Sequence, residues 1–435
     1  MEAQWAKQEV IPVSKRTYRA TSVNDVVAED LTKELRRDER VIVAVDIAKT
    51  DNKAAIIQSK KVFKTIAWKA PKETSTFVDL VSILSRYAAV ECVLESTGTY
   101  GDGLRAQMAG LGIPVYRVST KHTHDAAELF DGVPSMHDAK AAHLLGWLHV
   151  QGRSTRWVSK SEYERDLAAA AETYEVHNHQ FMGNLGRIEA KLARHFPELT
   201  EVVDLTNAST LELIAKFGDP KQIAANAAAA VELMCDVGGP LLAPEKVQRV
   251  VAAAAKTQGM PMTAGERSML MQLAAEANRQ RLLKADAKRV LERLAAQKET
   301  ITRTAEVVGL TTAAILYVEA GDPARYKAPA MFVKALGLNL REKSSGKHQG
   351  QLKLTKRGPP LARKYLYLAA LRLIQSDDHF KAWYARKLER EGGKPKLKAV
   401  IALMRKLAKA LWHVARGQAY DATKLFDTQR LGLAG

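Results

Sequence analysis

The apolar positions of this chain follow two rhythms, and the change between them comes near residue 160. VIVAVDI (41–47) is a continuous apolar run of strand length, and two more strand-like runs follow it, Ala54–Gln58 and Val62–Trp68. A helical period over Thr74–Tyr87 leads to VECVLE (90–95), another strand. After Ser96-Thr97-Gly98 the pattern predicts a helix over Tyr100–Ala109, a strand over Ile113–Val118, and a helix that holds Asp138 in its first turn and runs to His149. Residues 1–39 mix charges without a clear period and read as an N-terminal extension with at most one helix, Asn24–Arg37; order is expected from Val41.

Three strands, helix, strand, helix, strand, helix is the element order of a ribonuclease-H-like domain with a mixed sheet, here 40–158. From 159 the period becomes helical. Tyr163–His195 reads as one long helix, and Ala264–Thr300 as another. Leu283, Ala287, Val290, Leu294, Gln297 and Ile301 are spaced 4,3,4,3,4, as in a coiled-coil seam. Between them, short Ala-rich helices broken at Gly218-Asp219-Pro220, Gly238-Gly239-Pro240 and Gly259-Met260-Pro261 read as an insertion over about 198–262. The arm is therefore placed at 159–303 and read as a spacer or dimerisation element. A mainly α C-terminal domain, 304–435, follows. It holds helices over Thr311–Ala320, from Pro329, over Leu361–Gln375 and over Lys396–Arg416, the last with Val400, Leu403, Leu407 and Leu411 inward.

Charge sharpens this division. The net charge is +18, and between Arg341 and Arg416 twenty Lys/Arg stand against five Asp/Glu, so +15 of it lies in the C-terminal quarter. Such a segment is an electrostatic footprint for nucleic acid. No signal peptide or apolar run of spanning length is present, which argues against a membrane partner. Two cysteines, Cys92 and Cys235, suit a reducing cytoplasm and exclude a cysteine zinc cluster. The eleven histidines are scattered; His122 and His124 read as surface residues that share at most a strand face.

Within the sheet, Asp46 interrupts an apolar strand and Glu95 ends the central one. Carboxylates are rarely placed on buried strands unless paired or bound to a cation. At adjacent strand ends they suit Mg²⁺, a hard ion that takes oxygen ligands; the plain alternative is a helix cap or a surface salt bridge. Asp138 stands three residues after Ser135, and the plain reading is a capping box with Ser135 as N-cap. In the basic segment, Ser344-Ser345-Gly346 reads as a small turn among cations, and Gly358-Pro359-Pro360 stops the chain and restarts it as a helix. A hydroxyl among cations can meet a phosphate, with Lys343, Lys347, Lys356 and Arg363 as candidate clamps. Taken alone, the turn reads as a solvated loop and the cations as a generic basic surface.

Several blocks together resemble the transposases of insertion-sequence family one-ten, whose relatives invert pilin genes. VAVDIAKT (43–50) resembles its first acidic strand, CVLESTGTYGDGLRAQMAGLGIPVYRV (92–118) its glutamate block and HDAKAAHLLG (137–146) its last acidic helix. VVGLTTAAILYVEAGDPARYKAPAMFVKALGL, the following SSG…LTKRGPPLARKYLYLAA, and KAVIALMRKLAKALW (398–412) resemble its C-terminal domain. The resemblance spans about Val41–Trp412 and is weakest over 159–300. It implies a RuvC-like domain with four acids binding Mg²⁺ (or Mn²⁺), and a serine nucleophile on a second domain. It also implies a dimer-to-tetramer that recombines target and donor DNA under the guidance of a structured non-coding RNA, in the bacterial cytoplasm at the nucleoid.

Carried over by position, the acids are Asp46, Glu95 and Asp138, and the nucleophile is Ser345, with Ser344 as the alternative. The chain departs from the pattern once: where the family has Asp-x-x-Asp-Ala, Ser135 takes the third acid's place. The alternatives are a branch that works with three carboxylates, Asp131 as the fourth acid, or a degenerate copy. The competing readings are a Holliday-junction-type metal nuclease with water as nucleophile and a non-catalytic nucleic-acid-binding relic. A purely structural coiled-coil protein leaves the acids and the basic quarter unexplained.

Overall fold

The computed structural model describes residues 18–95, 98–342, 352–393 and 396–431. The chain divides into two compact units, Met1–Lys160 and Ser161–Gly435.

In the first unit, strands β1 (Thr21–Ser22), β2 (Val41–Asp46), β3 (Asp51–Gln58), β4 (Lys61–Lys69), β5 (Val90–Glu95), β6 (Val115–Val118) and β7 (Ser154–Arg156) form one mixed sheet. Their spatial order is β1-β4-β3-β2-β5-β6-β7. Short connections make β2, β3 and β4 antiparallel neighbours. Helix α1 (Ala28–Glu34) precedes β2. A helix intervenes before β5 (α2, Thr74–Tyr87) and before β6 (α3, Asp102–Gly110), and these strands run parallel to β2 and to each other. The sheet begins earlier than Val41: β1 pairs with β4, and Val23, Ala28, Leu31 and Leu35 enter its core. The charges that obscure a period over 18–40 lie on the exposed side of these short elements.

β2 reads as continuously apolar because both its faces are covered. Val41, Val43 and Val45 pack with Phe77 of α2 and Met108 of α3, whereas Ile42 and Ala44 pack with Leu144, Leu145 and Leu148 of helix α5 (Asp138–Val150). That second face also carries α4 (Thr120–Asp131), a helix the sequence reading does not place. Its ends are ordinary: Ser119 Oγ accepts from Lys121 N at 3.3 Å, and Gly132 closes it at φ 75°. His122 and His124 therefore lie on a helix, not a strand. Gly146 lets α5 approach the sheet, since a Cβ there would collide with Ile57 Cδ1 and press on Ala44 Cβ at 3.2 Å.

In the second unit, α6 (Glu162–His195) and α12 (Ala264–Ala295) pack along each other, and each opens with a capping box, Ser161/Glu164 and Thr263/Glu266. Between them come α7 (Leu199–Val202), α8 (Ala208–Phe217), α9 (Pro220–Ala225), α10 (Ala227–Gly238) and α11 (Pro244–Ala255). These share a core with Phe181, Ile188 and Leu192 of α6 and with Leu270 and Ala274 of α12. The expected seam is met in part: Ala287 and Ile301 are buried and Leu294 packs against the core, but α12 ends at Ala295, Val290 is 46% exposed, and Leu291 and Ala295 are buried in addition. Spacing alone does not say which apolar stripe faces the partner helix.

Helices α13 (Glu299–Val308), α14 (Leu310–Ala320), α15 (Pro329–Ala335), α16 (Pro360–Ser376), α17 (Asp378–Arg390) and α18 (Lys396–Ala415) share one core with the base of the arm. Leu167 and Tyr174 of α6 and Leu291 of α12 sit in it with Phe332, Leu366 and Leu407. The boundary expected at 303/304 therefore runs through a single core. Strands β8 (Leu340–Arg341) and β9 (Lys353–Leu354) pair antiparallel. Gly358 lies against the end of α15, where a Cβ would meet Gly337 N at 2.7 Å and overlap Ala335 O.

Candidate active site

Side-chain alternation on β2 and β5 decides where the acids point. Asp46 follows Ile42 and Ala44 onto the α4–α5 face, and Glu95 follows Val93 onto the same face. The parallel register pairs Val45 with Leu94, so Asp46 and Glu95 come one step later, at neighbouring strand ends. Asp138 is the first residue of α5, the helix that lies on this face. Three acids from distant parts of the sequence thus lie toward one end of the sheet.

Their electrostatics reflect this placement. Burial, then the negative charges of Asp138 and Glu95, push the Asp46 carboxyl up to about 6. Glu95 Oε1 accepts from Thr123 Oγ1 of α4 at 2.5 Å. Among the described residues no three His, Cys, Asp or Glu side chains are gathered as they stand into a metal-binding group. The donor chemistry nevertheless fits a hard divalent cation. The set is oxygen-only, and a cation would offset both the burial of Asp46 and the neighbouring negative charges that raise it.

A second set, by contrast, is satisfied. Lys140 Nζ donates to Asp131 Oδ1 at 2.6 Å, to Val133 O at 2.6 Å and to Ser135 O at 3.0 Å. Lys140 and Asp131 are both buried, with side chains 2% and 4% exposed. Tyr18 OH donates to Asp131 Oδ2 at 2.9 Å. Burial alone would raise the Asp131 carboxyl, but hydrogen bonds from Lys140, Val133 N and Tyr18 outweigh it and hold the group below its ordinary value. Asp131 is committed to this network.

The expected capping box at Ser135 is also corrected. The N-cap of α5 is His137, whose Nδ1 accepts from Lys140 N at 3.2 Å. Ser135 is exposed and contributes its carbonyl to Lys140. An imidazole nitrogen takes the place that a serine three residues before Asp138 was expected to fill.

On the second unit, Lys356 is exposed and adopts φ 53°. Arg363 Nη1 donates to Gly358 O at 2.6 Å and to Leu336 O at 3.3 Å, so this guanidinium holds the turn before α16. Lys343, Ser344, Ser345 and Lys347 lie outside the described residues. Thr123, Lys140 and Tyr18 were missed by sequence reasoning. Ser119 and Gly132, a cap at each end of α4, are the signals that would have placed Thr123 on a helix.

The sequence profile described as Transposase IS116/IS110/IS902 family matches residues 300–385, the stretch from α13 into α17. This supports a DNA transposase or recombinase, an enzyme that cuts and rejoins DNA. No curated protein matches the chain. No helix among the described residues is long and apolar enough to cross a membrane.

Proposed function

We propose that the chain is an insertion-sequence family one-ten transposase whose first unit is a RuvC-like, ribonuclease-H-type domain. The observation that carries this is that Asp46, half-buried at a strand end, is raised first by burial and then by the charges of Asp138 and Glu95, in a chain whose residues 300–385 match a transposase family. The sheet order β4-β3-β2-β5-β6, antiparallel then parallel, supports the fold reading.

In this reading Asp46, Glu95 and Asp138 hold Mg²⁺ or Mn²⁺, which when bound neutralises phosphate charge and stabilises a leaving oxygen. The Ser345 oxygen bonds to a DNA phosphorus as the bond from phosphorus to the 3′ oxygen breaks. The serine proton is lost, the departing oxygen gains one, and the products are a phosphoserine link and a free 3′ hydroxyl. Attack by that hydroxyl, or by another, reverses the exchange without ATP, because the phosphodiester energy stays in the link. Lys343, Lys347, Lys356 and the free edge of Arg363 contact phosphates. A structured RNA encoded by the element guides target and donor choice by base pairing, and copies of the chain assemble as a dimer or tetramer at bacterial DNA.

The test is a covalent adduct. Incubated with a nicked DNA substrate, Mg²⁺ and copurified RNA, the protein should be trapped on DNA, and Ser345→Ala should abolish the adduct while Ser344→Ala keeps it. DNA cleavage without any adduct would favour a water-using nuclease instead. A second reading, a nucleic-acid-binding relic, is favoured by Ser135 at an acid position, and neither cleavage nor adduct would support it.

A further inference from the structure

A cavity of about 650 Å³ opens beside Glu95, between α4 and the first turns of α5. We propose that it receives a single unstacked nucleobase from the strand whose phosphate lies at Asp46, Glu95 and Asp138. The inference rests on the reading of those acids as a phosphodiester site.

Position argues for it first. Ala141 and Leu145 line the cavity and stand three and seven residues after Asp138, on the same face of α5. Thr123, which holds Glu95 by hydrogen bond, lines it from α4. The cavity is therefore lined by one of the three acids, Glu95, and by the helix whose first residue is another, Asp138. Its volume lies inside the usual ~300–1,000 Å³ range for small-ligand sites.

Chemistry then selects the base over the phosphate. Ala127, Ala141 and Leu145 give an apolar floor, and Pro134 and Met136 a wall on which a ring can lie flat. The rim is polar: His124, Asp125 and Glu128. No Lys or Arg lines the cavity, whereas Glu95, Asp125 and Glu128 do, so an anion is repelled and an N–H donor is welcome. Asp125 is already engaged by Lys121 Nζ at 2.6 Å. Glu128 is exposed and holds no ion pair among the described residues, which leaves it as the acceptor for an exocyclic amine. A carboxylate accepts from the amino group of cytosine and, by the same chemistry, of adenine or guanine. Thymine and uracil have no exocyclic amine, and their one ring N3–H stands between two carbonyl oxygens that a carboxylate repels. Nucleic-acid enzymes commonly hold one base out of the stack in this manner.

Saturation-transfer NMR on the full chain with free nucleosides tests the proposal. Deoxycytidine and deoxyadenosine should bind about fivefold or more tightly than thymidine, in line with a single charge-assisted contact. Glu128→Gln should remove that preference, and Met136→Glu, on an exposed loop, should remove binding. Without divalent ion the 5′-monophosphates should bind more weakly than their nucleosides, and Mg²⁺ should restore them. Ribonucleosides run in parallel identify the strand: a ribose preference points to RNA, a deoxyribose preference to DNA, and both support the cavity. No nucleoside binding, an unchanged preference in Glu128→Gln, or a metal-free preference for monophosphates would overturn the proposal; a protein segment as occupant would give the first of these. Binding that Mg²⁺ leaves unaltered would sink the acids' metal role and leave the cavity standing. DNA binding by the basic segment is scored separately by anisotropy, so a protein that fails to bind DNA is recognised as such.

Discussion

Two groups of acids on the first unit, Asp131 with its partners and Asp46 with Glu95 and Asp138, are treated in opposite ways. Asp131 is enclosed by Lys140, Tyr18 and a backbone N–H, and its carboxyl is held low. Asp46 ends an apolar strand, and burial first, then the charges of Asp138 and Glu95, push its carboxyl up to about 6. One set is complete within the protein. The other is left wanting positive charge, and such an unrelieved shift marks a place where a ligand is expected. Burial of a carboxylate alone would not separate the two; the partners do.

The contrast implies opposite responses to acid. For Asp131 the folded pKa lies below the unfolded one, so its stabilisation is present above the unfolded value and is lost as pH falls through the folded value. For Asp46 the folded pKa is the higher, so the ionised form costs stability at neutral pH. Acidifying through about 6 toward its ordinary value of 3.8 relieves that cost.

The largest effect should come from breaking the satisfied set. Lys140→Met leaves Asp131 buried without its cation and frees Val133 O and Ser135 O, and should destabilise the first unit by ~3–5 kcal/mol. Urea denaturation should show this, and adding Asp131→Leu should recover part of the loss; an unchanged midpoint in the single variant would contradict the pairing.

A smaller effect of the opposite sign is expected from the strained set. Asp46→Asn should stabilise the protein by ~1–2 kcal/mol at pH 7.5, after allowance for its partial contact with water, and should flatten stability between pH 4 and 6. A loss of stability in that variant would mean that Asp46 is not repelled in the way described. The smallest effect concerns Ser135. It is exposed, so Ser135→Asp should leave the melting temperature within about 1 °C and lower the Mn²⁺ concentration for half-saturation up to about tenfold, read by Mn²⁺ paramagnetic resonance. No change in Mn²⁺ affinity would remove position 135 from the set.

Much of this was legible in order along the chain. Strand runs with period-two faces, capped helices and the Gly-Pro-Pro restart before α16 are local statements, fixed by sterics and hydrogen bonding within a few residues. Asp46 and Glu95 announced themselves as charges in apolar strands for the same reason. Helix α4 was hidden because its first turns, TKHTHD, carry polar side chains, although Ser119 and Gly132 bracket it. The seam of α12 was partly misread because two apolar stripes with similar spacing compete, and only the neighbouring helix chooses Leu291 over Val290.

What the sequence determined by itself is the list of parts: a sheet with acids at its strand ends, a helical arm, and a basic C-terminal quarter. What only the tertiary structure decided is which charges meet. Asp131, Asp138 and Lys140 stand within ten residues of one another, yet Asp131 turns to a lysine and a distant tyrosine while Asp138, exposed at the start of α5, adds its charge to the surroundings of Asp46. Charge interactions depend on separation in space and on exclusion of water, and neither is set until the chain has closed.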